Sequence, residues 1–464
     1  MKSLKPFILF SLYLSIVSLG NGCATLPDVS KVIEEAPASQ QPRKIFSSKG
    51  LISPEKSKAI IDRLQKSADP ADFLERHAAV VESVTESPLT KGNKVTLLAD
   101  GPATYAAMFQ AIRNAKDHIN LESYIFEDDE TGHKFSDILL QKQAEGVQVN
   151  VLYDSLGSID VSDTFFQRLR DGGIQVVNFN PLNPLSSHEE WGLTHRNHRK
   201  ILIVDGKVAI SGGINISEVY SRNPFRRKHK VKAQIHWRDT DVQIEGPAVA
   251  GFQKLFLDTW QKQKGPGLSQ SNNYFPDLIE KGTALVRVVG STPGETNRIP
   301  FIMYVSAITF AENSIHLTNS YFIPDEQIVK ALTDSAGRGV DVTIILPGTT
   351  DSKLAFYAQR YHYSELLKSG VKIYEHKTSL LHAKTAVIDE VWSTVGSTNL
   401  DYLSLLHNDE VNAVILSREF AVEMEKMFVK DLENSRQITW NEWKKRPLFL
   451  KIREWFVNLF ARWL

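Results

Sequence analysis

Apolar and polar positions alternate in short blocks along most of the chain, and the period of each block changes from two to between three and four and back. VTLLADG (95–101) predicts a strand, YAAMFQAIRNAKD (105–117) a helix and HINLESYIF (118–126) a second strand. FSDILLQKQAEG (135–146) then predicts a helix and VQVNVLYD (147–154) a buried strand. Strands alternating with helices imply an α/β protein, a mixed sheet with helices on its faces. Upstream, Ser53-Pro54-Glu55 supplies an N-cap with Pro at the first helical position, followed by Ile60, Ile61 and Leu64; another helical stretch runs from Phe73 to Val84. Residues from Ala24 to about Gln41 are rich in Pro, Ser, Ala and Gln with no sustained period, the composition of a tether, so 24–93 is expected to be a tether with short helices.

The pattern also repeats. AIRNAKDHINLESYIF (111–126) is echoed by AITFAENSIHLTNSYF (307–322), EGVQVNVLYD (145–154) by RGVDVTIILP (338–347), and GGIQVVNF (172–179) by SGVKIYEH (369–376). Three echoes in one order at a period near two hundred residues indicate two copies of one domain rather than a solenoid. The expected division is 94–264, a linker over 265–297 that starts at GPGLSQSNN (265–273), 298–430, and a tail over 431–464.

Each copy carries the same chemistry. THRNHRKILIVDGKVAISGGIN (194–215) holds His198, Lys200 and Asp205 at HxKxxxxD spacing; LHAKTAVIDEVWSTVGSTN (381–399) holds His382, Lys384 and Asp389 likewise. Glycines follow (Gly212 and Gly213; Gly396), then Asn215 and Asn399, each seventeen positions after its histidine. On a strand, residues two apart share a face, so each His–Lys pair is expected to point one way, and the glycines to turn the chain sharply and bring the asparagines to the same spot. Two imidazoles, two ammoniums and two amides meeting across a pseudo-twofold interface describe an anion site with a nucleophile on one side and a proton donor on the other. A tetrahedral phosphodiester fits it best. The remaining histidines and carboxylates show no metal-ligand spacing, so neither a metal nor another cofactor is expected. His195, three residues before the first motif, reads as a packed histidine.

The duplicated HxKxxxxD followed by G-G/S-x-N resembles the phospholipase D superfamily, over about Lys94 to Val429. ESYIFEDDETG (122–132), WRDTDVQIEGPAV (237–249), TNSYFIPD (318–325) and VGSTNLDYLSLLHNDEVNAVI (395–415) are similar to its bacterial cardiolipin synthases. The resemblance implies two phospholipase D-type α/β domains packed about a pseudo-twofold axis. It also implies a phosphatidyl-histidine intermediate, with His198 as nucleophile and His382 as acid and base. Lys200, Lys384, Asn215 and Asn399 would bind the phosphate, and Asp239 and Glu410 would orient the histidines. Asp205 and Asp389 complete the catalytic motif as structural partners within it. The implied activity is a phosphatidyltransferase making cardiolipin from phosphatidylglycerol and a second phospholipid. The alternatives are a phospholipase D that uses water and a phosphodiesterase nuclease. The first copy departs from the second by a Pro-containing insertion, NPLNPLSSHEEWGL (180–193), expected to shape access.

Charge and the chain ends add a location. Lys plus Arg and Asp plus Glu both number 54, so no global positive field attracts polyanions, and nucleic acid is not an expected partner. MKSLKPFILFSLYLSIVSLGNGC (1–23) has the charged, apolar and small-residue order of an export signal, and Cys23, the only cysteine, stands where bacterial lipoproteins carry their lipid; an uncleaved anchor is the alternative. The tail RPLFLKIREWFVNLFARWL (446–464) sets Lys451, Glu454, Asn458 and Arg462 opposite a broad Trp/Phe/Leu face, the pattern of a helix lying in a membrane interface. RRKHKVK (226–232) reads either as headgroup attraction or as a solvated loop. Together these place the protein in the cell envelope, on the exported side of a membrane.

Overall fold

The computed structural model describes residues 25–36, 43–64, 73–182, 194–221, 236–295 and 298–464. The signal with Cys23, residues 183–193 of the Pro-containing insertion and the basic run 226–232 lie outside them. Fourteen strands build the frame. The first half holds β1 (Leu89–Leu98), β2 (His118–Ser123), β3 (Gln148–Asp154), β4 (Gln175–Phe179), β5 (Ile201–Val204), β6 (Val208–Gly212) and β7 (Asp241–Glu245). The second holds β8 (Ala284–Ser291), β9 (Ser314–Asn319), β10 (Asp341–Pro347), β11 (Lys372–His376), β12 (Lys384–Ile388), β13 (Trp392–Gly396) and β14 (Asn408–Leu416).

Their order is β4-β3-β2-β5-β6-β7-β1 in the first half and β8-β14-β13-β12-β9-β10-β11 in the second. In each half β2–β3–β4 or β9–β10–β11 run parallel and the other neighbours antiparallel. The two orders are mirror sequences meeting at β1 and β8, as a pseudo-twofold duplication requires. β1 joins them: Lys94–Leu98 pairs with β7, whereas Asn93 and Thr90 pair with Ala284 and Val286 of β8 across a bulge. Gly92, at φ 87°, lies in this switch, where the twist of one sheet passes into the other.

Both faces of each sheet are covered, so the central strands are buried along most of their length, polar positions such as Asn120 and Glu122 of β2 included. In β5 the two-residue period sorts the faces. Leu202 and Val204 join Met108, Ile112, Phe135 and Leu139 from the outer helices Gly101–Asn114 and Glu130–Ala144. Ile201 and Ile203 join a core shared by both halves, in which Phe252 and Phe256 of helix Val249–Lys262 and Phe420 and Met424 of helix Arg418–Glu433 lie with Val286, Val395 and Ile415. The halves are therefore held together by a common core.

Several boundaries differ from the sequence expectation, for local reasons. Helix Gly101–Asn114 starts four residues before the expected Tyr105, because Asp100 caps it by accepting from Ala103 N–H at 2.9 Å, and Pro102 suits the first turn. Helix Glu130–Ala144 likewise starts at its cap Asp129, ahead of the apolar stripe. The expected tether contains helix Val29–Glu35, capped by Asp28 and held at Val29 N–H by Gln327 Oε1 at 2.9 Å. β8 lies inside the expected linker 265–297. Past residue 430, Ser435–Ile438 adds an antiparallel edge to β11. Among the described residues no helix is long and apolar enough to cross a membrane.

Candidate active site

Each motif histidine is delivered by a short ladder with the other half. Arg196–Asn197 pairs in parallel with Asn408–Asp409, and Trp237–Arg238 with Leu380–Leu381. The next residue continues each ladder: His198 N–H donates to Asp409 C=O at 2.9 Å, and His382 N–H to Arg238 C=O at 2.8 Å. One further step in this register sets Glu410 opposite His198 and Asp239 opposite His382. His198 Nδ1 lies 3.1 Å from both carboxylate oxygens of Glu410, and His382 Nδ1 lies 2.7 Å from Asp239 Oδ2. All four side chains are buried. The acids are themselves held: Ser397 Oγ–H donates to Glu410 Oε2, and Thr240 N–H to Asp239 Oδ1 at 2.8 Å. A carboxylate on Nδ1 requires the proton there and leaves the Nε2 lone pair free to attack or accept a proton. Among the described residues neither Nε2 makes a hydrogen bond.

The lysines arrive differently from the expectation. Lys384 alone lies within a regular strand, and His198, Lys200 and His382 precede β5 and β12, so the pairs are not set by one continuous strand. What joins each pair is a hydrogen bond from the lysine Nζ to the backbone carbonyl of its own histidine. Lys384 Nζ also stands 3.0 Å from His382 Nδ1, and Lys200 Nζ 5.1 Å above the ring of Tyr124. The glycines serve close approach, not a sharp turn. None of Gly212, Gly213 and Gly396 has a positive φ, but a Cβ on Gly213 would stand 2.2 Å from Asp239 Oδ1 and one on Gly396 2.3 Å from Val411 O.

The asparagines sit at the edge of the centre, with their amides engaged. Asn215 accepts from Ile125 N–H at 3.0 Å and donates to Tyr220 Oη at 3.3 Å; that hydroxyl is 3.3 Å from His382 Nδ1. Asn399 accepts from Ser320 Oγ at 2.6 Å and donates to Ser404 Oγ at 3.4 Å. Asp205 and Asp389 stand away from the centre, in the tight turns that follow β5 and β12. Asp205 accepts the N–H groups of Lys116, Asp117 and His118, and Asp389 those of Glu312, Asn313 and Ser314. They fasten the starts of β2 and β9 and touch neither histidine. His195 bonds Asp409 through Nε2 at 3.2 Å, outside the pair formed by His198 and His382.

The sequence reading missed the aromatic wall. Tyr124 meets His198 edge-on at 5.1 Å between ring centres; Trp237, Tyr220 and Tyr321 surround His382 at 4.9, 6.2 and 6.2 Å. A signal was present: a Ser-Tyr pair stands near the end of both segments of the first echo, Ser123-Tyr124 and Ser320-Tyr321, one position out of register. Glu122, which binds Asn197 Nδ2 at 2.6 Å just before His198, was missed as well.

Burial sets the charges. It pushes His382 down to about 4, helped by the Lys384 ammonium and opposed by Asp239; it also lowers His198, where Glu410 opposes it. Both imidazoles are therefore neutral at neutral pH. Burial lowers Lys200 to about 7 and Lys384 to about 8, against the pull of Glu410 and Asp239. For Glu410, burial pushes upward, but His198, Lys200 and the Ser397 hydroxyl outweigh it and hold the carboxyl below its ordinary range. An anion placed beside the lysines would favour their charged forms, since an opposite charge offsets the burial that lowers them. The centre thus offers two neutral nitrogen bases and two cations that strengthen as a phosphate enters. Among the described residues no group of three or more His, Cys, Asp or Glu is arranged to hold a metal ion.

Comparison with known proteins gives a consistent match. The family model described as "Cardiolipin synthase, PLD-like domain" matches residues 108–224 and 304–432. A cardiolipin synthase of Alkalihalophilus pseudofirmus is 36% identical over 80% of this chain and 72% of its own length. The major cardiolipin synthase of Bacillus subtilis is 36% identical over 79% of this chain and 74% of its own. Among solved structures, the phosphatidylserine synthase of Haemophilus influenzae superposes with a TM-score of 0.61 at 13% identity, over 82% of this chain and 98% of that one, which is a likeness of fold.

Proposed function

Because the chain belongs to the cardiolipin synthase, phospholipase D-like domain family, we propose that its two-half site transfers a phosphatidyl group between phospholipids and so makes cardiolipin. The observation that carries this reading is the register that sets each histidine of one half against a buried acid of the other. Such an arrangement serves a two-step displacement at one phosphorus.

In the first step His198 Nε2 attacks the phosphorus of a phosphatidylglycerol. The N–P bond forms, the P–O bond to the headgroup glycerol breaks, and His382 Nε2 gives its proton to the departing oxygen. His382 acquires that proton as the phosphodiester binds, since a negative charge beside it offsets the burial that keeps it neutral. In the second step the headgroup hydroxyl of another phosphatidylglycerol gives its proton to His382 and attacks phosphorus; the N–P bond breaks and cardiolipin leaves. Glu410 and Asp239 keep the Nδ1 protons in place and stabilise each imidazolium as it forms, a role of the kind a buried acid plays beside a catalytic histidine. Lys200 and Lys384 hold the non-bridging oxygens as their charge grows. Asn215 and Asn399 reach these oxygens by releasing their hydroxyl partners. One phosphodiester replaces another, so the exchange needs no external energy source.

Phospholipid substrates make the protein membrane-associated. The N-terminal signal, with lipid on Cys23 or with the segment uncleaved, supplies attachment in the envelope on this reading; a signal-peptidase II inhibitor that leaves the processed form unchanged would remove the lipid version. The test of function is incubation of the purified protein with phosphatidylglycerol labelled in its headgroup and its acyl chains. Cardiolipin and free glycerol in equal amounts support transfer. Phosphatidic acid alone makes the enzyme a hydrolase, and DNA cleavage without lipid products sinks both.

A further inference from the structure

The C-terminal helix Leu448–Asn458 is amphipathic the wrong way round for a helix that merely packs on a body. Its acid faces inward: Glu454 is buried and bonds Arg446 Nη2 at 2.9 Å. Its aromatic and aliphatic residues face outward: Leu448, Phe449, Ile452, Trp455, Phe456 and Leu459 are all between 51% and 69% exposed. A contiguous apolar face of this kind marks a docking surface. Charge says what docks. The chain as a whole is neutral, yet residues 444–464 carry six cations (Lys444, Lys445, Arg446, Lys451, Arg453 and Arg462) against the single, already paired Glu454.

This face adjoins the catalytic cleft. Val457, Ala461 and Leu464 pack with Ile323, Ala355, Ala358 and Tyr321, and Tyr321 is the ring that flanks His382. On the other side of the cleft, the turn after β3 holds the backbone of Tyr124: Ser158 Oγ bonds Tyr124 O at 3.4 Å and Phe126 N–H at 3.1 Å. That turn exposes Leu156 and Ile159, at 37% and 57%. The turn after β10, its equivalent in the second half, leads into helix Lys353–Tyr361, on which the C-terminal helix packs and which exposes Leu354. Apolar groups thus rise from the carboxyl ends of the parallel strands in both halves, on either side of the two tyrosines and two histidines.

We propose that the outward face of Leu448–Asn458 and the Leu156–Ile159 turn form one footprint for an anionic bilayer, which seats the mouth of the cleft against the lipid headgroups. Resting on the functional reading above, this adds an orientation: a lipid enters the site from the docked leaflet without crossing water. The interfacial helix supplies apolar burial and its flanking cations the attraction to anionic headgroups.

The test uses the full chain, with Cys23→Ser, reconstituted in vesicles of equal parts phosphatidylglycerol and phosphatidylcholine. A nitrobenzoxadiazole probe is placed by Phe449→Cys, by Ile159→Cys, or by Lys58→Cys. Lys58 serves as control because its helix, Pro54–Leu64, docks through Leu64 C=O on Arg418, beyond the end of β14 remote from Glu410. The N-terminal apolar segment contributes equally to all three proteins. At 449 and 159 the emission should shift to the blue and fall about twofold with brominated acyl chains, while 58 stays water-like. A water-like probe at 159 with a buried one at 449 overturns the shared footprint, and water-like probes at both overturn docking altogether. Mutual quenching of probes at 449 between two copies, without quenching by bromolipid, makes the face a contact between copies instead. Because the probe reports docking without turnover, a protein that docks but makes no cardiolipin overturns the function and leaves the footprint standing.

Discussion

Glu410→Gln isolates what the buried acid gives the first histidine. The replacement keeps the shape and an acceptor for the His198 Nδ1 proton, and the Ser397 hydroxyl can turn to accept from the new amide. What disappears is a negative charge 3.1 Å from Nδ1, in a place where both side chains are buried. The charge on the ring is spread over both nitrogens, so about 4 Å is the relevant separation, worth about 4 kcal/mol at an effective dielectric near 20. The retained hydrogen bond offsets part of this, leaving about 3 kcal/mol, or roughly a hundred- to a thousandfold in kcat/KM. The assay is cardiolipin formation from labelled phosphatidylglycerol, with the thermal unfolding midpoint measured alongside. Asp239→Asn should cost a similar factor through His382. A folded Glu410→Gln protein within about threefold of the wild type would refute the idea that the cross-half carboxylate stabilises the imidazolium, because a hydrogen bond alone would then suffice.

Three further outcomes follow from the same geometry. kcat/KM should be bell-shaped in pH: the acid limb lies below the ordinary histidine value, where the lowered His198 takes up a proton and loses the lone pair with which it attacks. The alkaline limb falls between about 7 and about 8, where Lys200 and Lys384 of the free enzyme lose their protons; a rate that still climbs at pH 9 contradicts it. Gly213→Ala places a Cβ 2.2 Å from Asp239 Oδ1, so it should cut turnover by about tenfold or more while lowering stability by about 1–2 kcal/mol; unchanged turnover would show that Asp239 has room to spare. Asp431→Ala strips the buried Arg238 of a two-pronged partner (2.9 and 2.7 Å), and should lower the unfolding free energy in denaturant by about 3–5 kcal/mol; a loss under 1 kcal/mol would mean that water replaces the carboxylate.

The motif was legible in the chain because it is written twice, and the acids because Glu410 and Asp239 sit in segments that match the family. How the parts meet was not legible. The ladders Arg196–Asn197 with Asn408–Asp409 and Trp237–Arg238 with Leu380–Leu381 are two residues long, too short for any periodicity, and their partners lie in the opposite half. The same reason hid the switch of β1 between sheets: Leu89–Asn93 falls in the region expected to be a tether with short helices, and its pairing with Ala284 and Val286 lies far along the chain. Gly213 looked like a turn because sequence shows a glycine's freedom but not the carboxylate that needs its missing Cβ. The tail's composition predicted a membrane helix, but only packing could show that Glu454 turns inward and Phe449 outward.

The central claim is that one site built from both halves works through a covalent intermediate on His198. The most direct measurement offers the His382→Ala protein a phosphatidyl ester with a nitrophenol leaving group, which departs without a proton, and then quenches in alkali and maps the bound lipid phosphate by mass spectrometry. The account predicts about one phosphatidyl group per chain, on His198, released slowly, and none in His198→Ala. A label on His382 in the His198→Ala protein, or no covalent label in either protein, would contradict it.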